Sequence, residues 1–239
     1  MSSLKLGLPS KGRLQDQTID WFAKQNITIE RTGLDREYAG RIDFDGVELV
    51  LLSAAEIPNE LSAGRIHLGV TGQDLVHEKI PVWQHKIVEI APMGFGFADL
   101  VLAVPAVWVD VDTIDDLDAV AAAFRAKHGF RLRIATKYHN LVREFLREQG
   151  VADYQLVDSQ GATEGTVKNL TAEAIADITS TGATLVDNHL KMLEDGLILK
   201  SQATLFASET APWSAETTAT YEQLLTKLRL PIPELNKRT

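Results

Sequence analysis

The chain contains no cysteine. This absence excludes disulfides, thiolate metal ligands and a cysteine nucleophile. Basic residues are also few, because 24 Lys and Arg stand against 33 Asp and Glu and the net charge is −9. A protein that binds nucleic acid through its general surface charge shows the opposite balance, so we expect no nucleic-acid partner. A few local cations still suffice to bind a small phosphorylated substrate.

Long apolar runs are absent as well, which argues against a membrane-spanning segment. The first residues, Met1 to Leu6, lead directly into a strand pattern without the apolar region of a secretory signal. We therefore expect a cytoplasmic protein with no membrane partner. Hydrophobic residues make up 45% of the 239 residues, enough for one large domain or for two domains of about 100 residues each.

One stretch combines a strand pattern, a small polar turn and a helix pattern. The apolar residues from Ala174 to Ile178 predict a buried strand, and those from Leu185 to Leu193 recur at helical spacing. The intervening hydroxyl groups of Ser180 to Thr184, the flexible Gly182 and the free N–H groups of a helix start suit a phosphate group. Asp177, at the strand end, is placed to reach sugar hydroxyls. An ordinary turn capped by threonine explains this stretch about equally well.

Three other turns follow the same pattern of strand, polar turn and helix. They contain Ser10, Lys11 and Arg13, then Thr71 to Asp74, then Lys137 and Tyr138, whose ring is available to pack on a planar base. A solvated basic turn or ordinary turn chemistry explains each one alone. Alternating strands and helices predict a parallel α/β fold, in which ligands bind at the carboxyl ends of strands. Four turns whose residues can each bind an anion together favour a polyphosphate ligand.

Two further patterns resemble functional sites but have a simpler interpretation. The acids from Asp112 to Asp118 precede apolar residues at helical spacing, so we interpret them as a helix cap and first turn, not as a metal site. The run from Gly94 to Asp99 begins like a dinucleotide fingerprint, but Asp99 replaces its third glycine. This run is better interpreted as a crossing between two lobes. The histidines show no metal-ligand spacing, and no catalytic triad is visible.

Taken together, the four turns and their flanking residues resemble the motifs of the ATP phosphoribosyltransferase family. The similar segments occur in order over nearly the whole chain, and the last of them is the specific one. The segments are Leu8-Pro9-Ser10-Lys11-Gly12-Arg13-Leu14, Leu68-Gly69-Val70-Thr71-Gly72-Gln73-Asp74-Leu75, Arg133-Ile134-Ala135-Thr136-Lys137-Tyr138 and Asp177-Ile178-Thr179-Ser180-Thr181-Gly182-Ala183-Thr184-Leu185.

The resemblance implies an α/β fold with two lobes, similar to a type II periplasmic binding protein, with mixed, mostly parallel sheets and a cleft between the lobes. Lobe I would comprise residues 1–97 and 186–239, and lobe II residues 98–185 with the phosphoribosyl pyrophosphate loop. The chain ends soon after the helix around Leu224, so we expect no C-terminal regulatory domain. It therefore resembles the short form, a homodimeric catalytic subunit in a hetero-oligomer with a regulatory subunit similar to histidyl-tRNA synthetase.

The implied reaction joins ATP and 5-phosphoribosyl 1-pyrophosphate, the first step of histidine biosynthesis. The resemblance assigns the catalytic set to Glu164, Asp177, Lys11 and Arg13, with Lys11 and Arg13 meeting the pyrophosphate and Mg²⁺. It assigns phosphoribosyl pyrophosphate binding to Asp177, Thr179, Ser180, Thr181, Gly182, Ala183 and Thr184. It assigns ATP binding to Ser10, Lys11, Arg31, Thr71, Gly72, Asp74, Lys137 and Tyr138. Mg²⁺ would be carried by the substrate phosphates and not by side chains alone.

The sequence departs from the family pattern at two places. Leu170 stands where the family has a glycine, which affects the loop between Glu164 and Asp177. The strand Val47 to Leu52 is followed by Ser53-Ala54-Ala55, where many short forms have an arginine. Other short forms share this Ser-Ala pattern, so we interpret it as a subgroup feature. If that arginine aids the departure of pyrophosphate, Arg31 or Arg36 would have to serve instead.

Two alternative functions remain open at this stage. The first is a non-catalytic small-molecule binding protein with the same two-lobed fold. The second is a phosphoribosyltransferase for another base, although such enzymes of the usual fold carry two adjacent acids where Asp177 is followed by Ile178.

Overall fold

The computed structural model describes residues 3–31, 40–159 and 161–235, with the side chain of Arg31 outside the description. The chain divides into two compact units, one formed by Met1–Phe97 with Gln202–Thr239 and the other by Ala98–Ser201. Our sequence-based boundary ended the second unit at residue 185. The structure keeps the chain in that unit up to Ser201, because the strand Leu190–Leu199 pairs with the strand Asp99–Pro105.

The strands alternate with helices along most of the chain. In chain order they are β1 (Leu4–Pro9), β2 (Ile29–Arg31), β3 (Gly40–Ile42), β4 (Val47–Leu52), β5 (Leu68–Gly72), β6 (Ile87–Pro92), β7 (Asp99–Pro105), β8 (Leu132–Thr136), β9 (Tyr154–Asp158), β10 (Ala174–Thr179), β11 (Leu190–Leu199) and β12 (Ala203–Ser208).

The helices follow several of these strands directly. They are α1 (Gly12–Lys24), α2 (Ile57–Ser62), α3 (Gln73–Lys79), α4 (Ile114–His128), α5 (His139–Glu148), α6 (Gly165–Lys168), α7 (Ala183–Asp187) and α8 (Ala215–Leu228), with a 3₁₀ turn at Trp83–His85. Among the residues described, none of these helices combines the length and the apolar character that a membrane crossing needs.

The first unit contains a sheet with the strand order β4-β1-β5-β12-β6. Strands β4, β1 and β5 are parallel, while β12 runs antiparallel to both β5 and β6. All residues of β5 and most of β1 are buried, which is typical of strands covered on both faces. The parallel strands therefore end at one edge, where the turns at Ser10, Ser53 and Gln73 begin.

The second unit contains a sheet with the strand order β11-β7-β10-β8-β9. Strands β8, β9 and β10 are parallel, and β7 runs antiparallel to β10 and β11. Leu100, Leu102, Ile134, Val142 and Leu146 are fully buried in its core. The predicted α/β class with mixed, mostly parallel sheets is confirmed in each unit.

The predicted long helix after Leu185 is wrong. Helix α7 ends at Asp187, His189 takes a left-handed conformation with φ 59°, and β11 begins at Leu190. Register shifts interrupt the pairing of β11 with β7, and Leu190, Leu193 and Gly196 are its buried positions. This spacing of three residues imitates a helix, because the irregular pairing removes the alternation that normally identifies a strand.

The carboxylates near the start of α4 form a helix cap, as the sequence predicts. The Thr113 hydroxyl accepts the Asp116 N–H at 3.3 Å, and the Asp116 carboxylate accepts the Thr113 N–H at 2.9 Å. Hydrogen bonds from Thr113 and from the Asp112 N–H hold the pKa of Asp116 below its usual range. This reciprocal capping box gives Asp116 the capping role that the sequence predicts.

Candidate active site

The loop between β10 and α7 is a tight turn held by its own threonine hydroxyls. The Thr179 hydroxyl accepts the Gly182 N–H at 2.8 Å, and the Thr181 hydroxyl accepts the Ala183 N–H at 3.3 Å. Gly182 has φ +76°, a left-handed conformation that glycine adopts without strain. Ser180, Thr181 and Thr184 are exposed, so their hydroxyl groups face solvent at the helix start. The turn therefore presents its exposed hydroxyls to an anion, while the Gly182 and Ala183 N–H groups donate within the turn itself.

Asp177 and Lys137 lie next to each other at the carboxyl edge of the second sheet. Strands β8 and β10 are parallel neighbours, and the Lys137 Nζ lies 3.4 Å from an Asp177 carboxylate oxygen. The Asp177 side chain is 14% exposed and also accepts the Ile178 N–H at 2.8 Å. The structure thus brings together two residues that the sequence placed on different turns.

Tyr138 does not have the position that base stacking requires. Its residue is only 2% exposed and packs within the core of the second unit. Its N–H donates to the Thr136 hydroxyl at 2.9 Å, and Lys137 Nζ lies 5.3 Å from its ring centroid. The predicted stacking on a planar base is wrong, because an aromatic ring so placed fills the core and has no open face.

Glu164 lies in the turn that follows β9 and precedes α6. The Gly165 N–H donates to the Ala162 carbonyl at 3.0 Å, and the Thr166 hydroxyl donates to the Thr163 carbonyl at 2.6 Å. Glu164 is half-buried, and α6 packs against β10. The turn that carries Glu164 therefore follows β9 at the same sheet edge as the loop after β10, and its contact with ribose stays a prediction.

Leu170 adopts the conformation that explains why a glycine suits this position. Its φ is +57° and its side chain is 80% exposed, so the chain takes a left-handed turn here with an apolar residue. The Arg133 guanidinium donates to the Leu170 carbonyl at 3.0 Å and also pairs with Glu173. These contacts hold the turn between α6 and β10 despite the unfavourable residue.

The basic turn after β1 lies at the carboxyl edge of the first sheet. The Ser10 N–H donates to the Leu52 carbonyl at 2.7 Å, while Lys11 and Arg13 are exposed. Helix α1 begins at Gly12, and its first turn has neither an acidic residue nor a side-chain cap. Two cations and an uncapped helix start suit an anionic ligand here.

The turn after β5 is more buried than the sequence suggests. Thr71 is fully buried, and its hydroxyl donates to the Ala54 carbonyl at 2.8 Å. Gly72 is buried too, and Asp74 is 5% exposed. Gln73 fixes the helix start by donating its side-chain N–H to Glu89 at 3.0 Å. Thr71 therefore positions the turn, and a direct contact of its hydroxyl with ATP is not supported.

The segment at Ser53, where short forms have an arginine, is a closed turn. The Ser53 N–H donates to the Glu56 carboxylate at 3.0 Å. Hydrogen bonds from the Ser53 side chain and from this N–H lower the pKa of Glu56. The side chain of Arg31 and the whole of Arg36, our substitutes for the missing arginine, lie outside the described residues.

Sequence reasoning missed one pair at the edge that carries the phosphate loop. His139 and Asp158 lie 3.3 Å apart, at the start of α5 and the end of β9. Their positions directly after two parallel strands were the signal that could have identified them. Within residues 3–31, 40–159 and 161–235, no group of three or more carboxylate or imidazole side chains is placed to hold a metal ion.

A family model and three relatives that match this chain all have the name ATP phosphoribosyltransferase. Residues 53–230 match the family described as "HisG: ATP phosphoribosyltransferase". An ATP phosphoribosyltransferase from Cereibacter sphaeroides is 67% identical over 97% of this chain and 98% of its own length. One from Rhodopseudomonas palustris is 50% identical over 93% of this chain and 69% of its own length. One from a Bradyrhizobium species is also 50% identical, with 65% of its length covered, so the chain spans about two thirds of these longer relatives.

Solved structures show similarity of fold. The ATP phosphoribosyl transferase (HisG:HisZ) complex from Thermotoga maritima matches with a TM-score of 0.69 at 22% identity, over 95% of this chain and 96% of that one. The periplasmic aliphatic sulphonate binding protein SsuA from Escherichia coli matches with a TM-score of 0.51 at 17% identity, over 95% and 72%. At such identities the matches describe the fold alone, and it is the one that the sequence predicted.

Proposed function

The chain belongs to the ATP phosphoribosyltransferase family, and from this membership we propose that it joins ATP to 5-phosphoribosyl 1-pyrophosphate. The products are N1-(5-phosphoribosyl)-ATP and pyrophosphate, and the reaction is the first step of histidine biosynthesis. The observation that carries the proposal is the tight hydroxyl-lined loop at Thr179–Thr184, which lies directly after Asp177 in a sequence 67% identical to an enzyme of that name. We place the reaction in the cytoplasm.

The loop after β10 binds the 5-phosphate of the sugar. Ser180, Thr181 and Thr184 supply exposed hydroxyl donors, and the start of α7 supplies backbone N–H groups. Gly182 allows the tight turn, because its left-handed conformation is one that glycine takes without strain. Binding of the phosphate fixes the position of the ribose ring relative to Asp177.

Asp177 acts on the ribose. Adenine N1 attacks the anomeric carbon while the bond to pyrophosphate breaks, so positive charge develops on the ring. A carboxylate beside the ring stabilises that charge, and positioning supplies most of the remaining acceleration. Lys137 lies 3.4 Å from Asp177 and orients its carboxylate. Glu164 contacts the ribose hydroxyls from the neighbouring turn. The mechanism needs no protein nucleophile.

The basic turn of the first unit binds phosphate groups, either those of the pyrophosphate that leaves the ribose or those of ATP. Lys11 and Arg13 are exposed at the start of α1, where the helix dipole also favours negative charge. Phosphate oxygens are ligands that Mg²⁺ prefers, so the substrate phosphates would hold the metal, which would neutralise part of their charge. Ser10, Gly72 and Asp74 stay our predicted contacts on the nucleotide side.

The chain works with a regulatory subunit similar to histidyl-tRNA synthetase. This part of the proposal is suggested by the HisG:HisZ complex from Thermotoga maritima, one chain of which matches this protein in fold over 96% of its own length. We propose that two copies of the catalytic chain pair within the hetero-oligomer.

A turnover assay tests the proposal. The full chain is incubated with ATP, 5-phosphoribosyl 1-pyrophosphate and Mg²⁺, with and without the regulatory subunit, and phosphoribosyl-ATP is followed by its absorbance. Product formation supports the proposal. Absence of product under both conditions, with ligand binding retained, would favour a non-catalytic binding protein.

A further inference from the structure

A polar cavity of about 670 Å³ lies on the second unit between helix α5 and strand β9. Its walls include Arg131, His139, Arg143 and Arg147, and apart from His139, at the sheet edge described above, none of the residues that line it belongs to the proposed active site. Its volume lies within the range of about 300–1,000 Å³ that is usual for small-molecule sites.

Cationic side chains are concentrated on one wall of this cavity. His139, Arg143 and Arg147 follow each other at intervals of four residues along α5, so they share one face of the helix. Arg131 joins them from the segment just before β8. Like charges at this spacing, here those of Arg143 and Arg147, destabilise a helix, and the whole chain carries a net charge of −9. This wall of the cavity therefore carries an excess of positive charge, although the protein as a whole is acidic.

The nearby acids do not neutralise this wall. Arg131 and Arg143 have no ion pair among the residues that the structure describes, and Arg147 lies 3.9 Å from Glu144 in an exposed contact. Asp158 lies 3.3 Å from His139. The helix dipole favours Arg147, which lies in the last turn of α5, but it does not explain Arg131 or Arg143.

The rest of the cavity leaves room for a ligand. Gly150 has φ +78° with open space where a side chain would begin, and Ala152 is small. Tyr154 and Gln155 add polar groups that can hydrogen-bond to a bound molecule. Guanidinium groups around an open polar floor match the oxygen atoms of phosphate.

We propose that this cavity is a second anion site, which binds a small phosphate-bearing molecule through Arg131, Arg143 and Arg147. The concave shape favours a small ligand over the flat acidic surface of a protein. The chemistry fits both free diphosphate and a nucleoside monophosphate, so the experiment compares the two.

The test counts binding sites on the full chain by calorimetric titration with inorganic pyrophosphate and, separately, with AMP. The wild type is expected to bind more than one pyrophosphate per chain. The double variant Arg131→Ala/Arg143→Ala is expected to bind the additional equivalent at least about tenfold more weakly, because two charge-assisted contacts are lost. If AMP binding falls in the same way, the site accepts nucleotides; if only pyrophosphate binding falls, it accepts the free anion.

The double variant Lys127→Ala/Lys227→Ala is the control, because it removes the same charge from exposed positions outside the cavity. Circular dichroism and the melting temperature confirm that each variant is folded. Arg143→Lys keeps the positive charge and is therefore expected to retain part of the binding that Arg143→Ala loses. Equal binding by wild type and Arg131→Ala/Arg143→Ala overturns the proposal, as does an equal loss in the control. Unchanged pyrophosphate binding with a weakened regulatory complex would identify a protein contact instead. Site counting does not depend on turnover, so failure of the proposed reaction is recognised separately.

Discussion

Gly182→Ala separates the structural cost of the phosphate loop from its function. Gly182 has φ +76°, and an added Cβ would meet only the Met192 Cε, at 3.8 Å. The substitution therefore creates no clash, but it places a side chain in a left-handed conformation. The expected cost is about 1 kcal/mol of unfolding free energy. For a chain of this size, that cost lowers the melting temperature by about 2–4 °C.

The effect on substrate binding should be larger than the effect on stability. The new methyl group lies at the start of α7, where the 5-phosphate approaches the backbone. Loss of one or two hydrogen bonds to a charged phosphate weakens binding by roughly 10- to 100-fold. We expect this change in the KM for 5-phosphoribosyl 1-pyrophosphate, while the KM for ATP changes by less than about threefold.

Gly129→Ala is the matched control. Gly129 has φ +79° and open space around its Cβ position, and it ends α4 away from the proposed active site. It should lose the same stability with unchanged KM values. Thermal unfolding and steady-state kinetics on both variants separate an effect on stability from an effect on phosphate binding. If Gly182→Ala lowers the melting temperature like Gly129→Ala and leaves the KM for 5-phosphoribosyl 1-pyrophosphate within about twofold, the loop does not bind the phosphate.

Three other substitutions test neighbouring parts of the account. Asp177→Asn should reduce kcat roughly 100-fold with a melting temperature within about 2 °C of wild type, because its partly exposed ion pair contributes little stability; a large loss of stability would contradict this role. Leu170→Gly should raise the unfolding free energy by about 0.5 kcal/mol and Leu170→Ala should not, since only glycine relieves the left-handed strain. Burial lowers the pKa of His67 from 6.5. Below pH 6.5, His67 binds a proton more readily in the unfolded chain than in the native protein. The free energy of unfolding therefore decreases as the pH is lowered. His67→Asn should flatten that fall in denaturant titrations, leaving the part due to half-buried His77; an unchanged slope would contradict the assignment.

The sequence was informative wherever chemistry follows a strand end. Lys11, Lys137 and Asp177 all lie at the carboxyl edges of their sheets because parallel strands end together there. The capping role of Asp116 was also predicted correctly, since acids before a helical pattern favour a helix start.

The errors arose where tertiary contacts override a local pattern. Leu190–Leu199 is a strand because pairing with β7 decides its conformation, and its register shifts hide the alternation of buried residues. Tyr138 was expected at a ligand surface, but its ring packs in the core of the second unit. Thr71 is buried for a similar reason, since its hydroxyl satisfies the Ala54 carbonyl. None of these contacts is visible in the local sequence.

The most direct test of the phosphate loop is a titration of the ¹⁵N-labelled chain with ribose 5-phosphate, followed by two-dimensional NMR. The ligand carries the sugar and its phosphate but no pyrophosphate, so it isolates the binding step assigned to this loop. The account predicts that the largest chemical-shift changes occur at the backbone amides of Ser180 to Thr184. Changes confined to Lys11 to Arg13, with the amides of Ser180 to Thr184 unaffected at saturation, would contradict it.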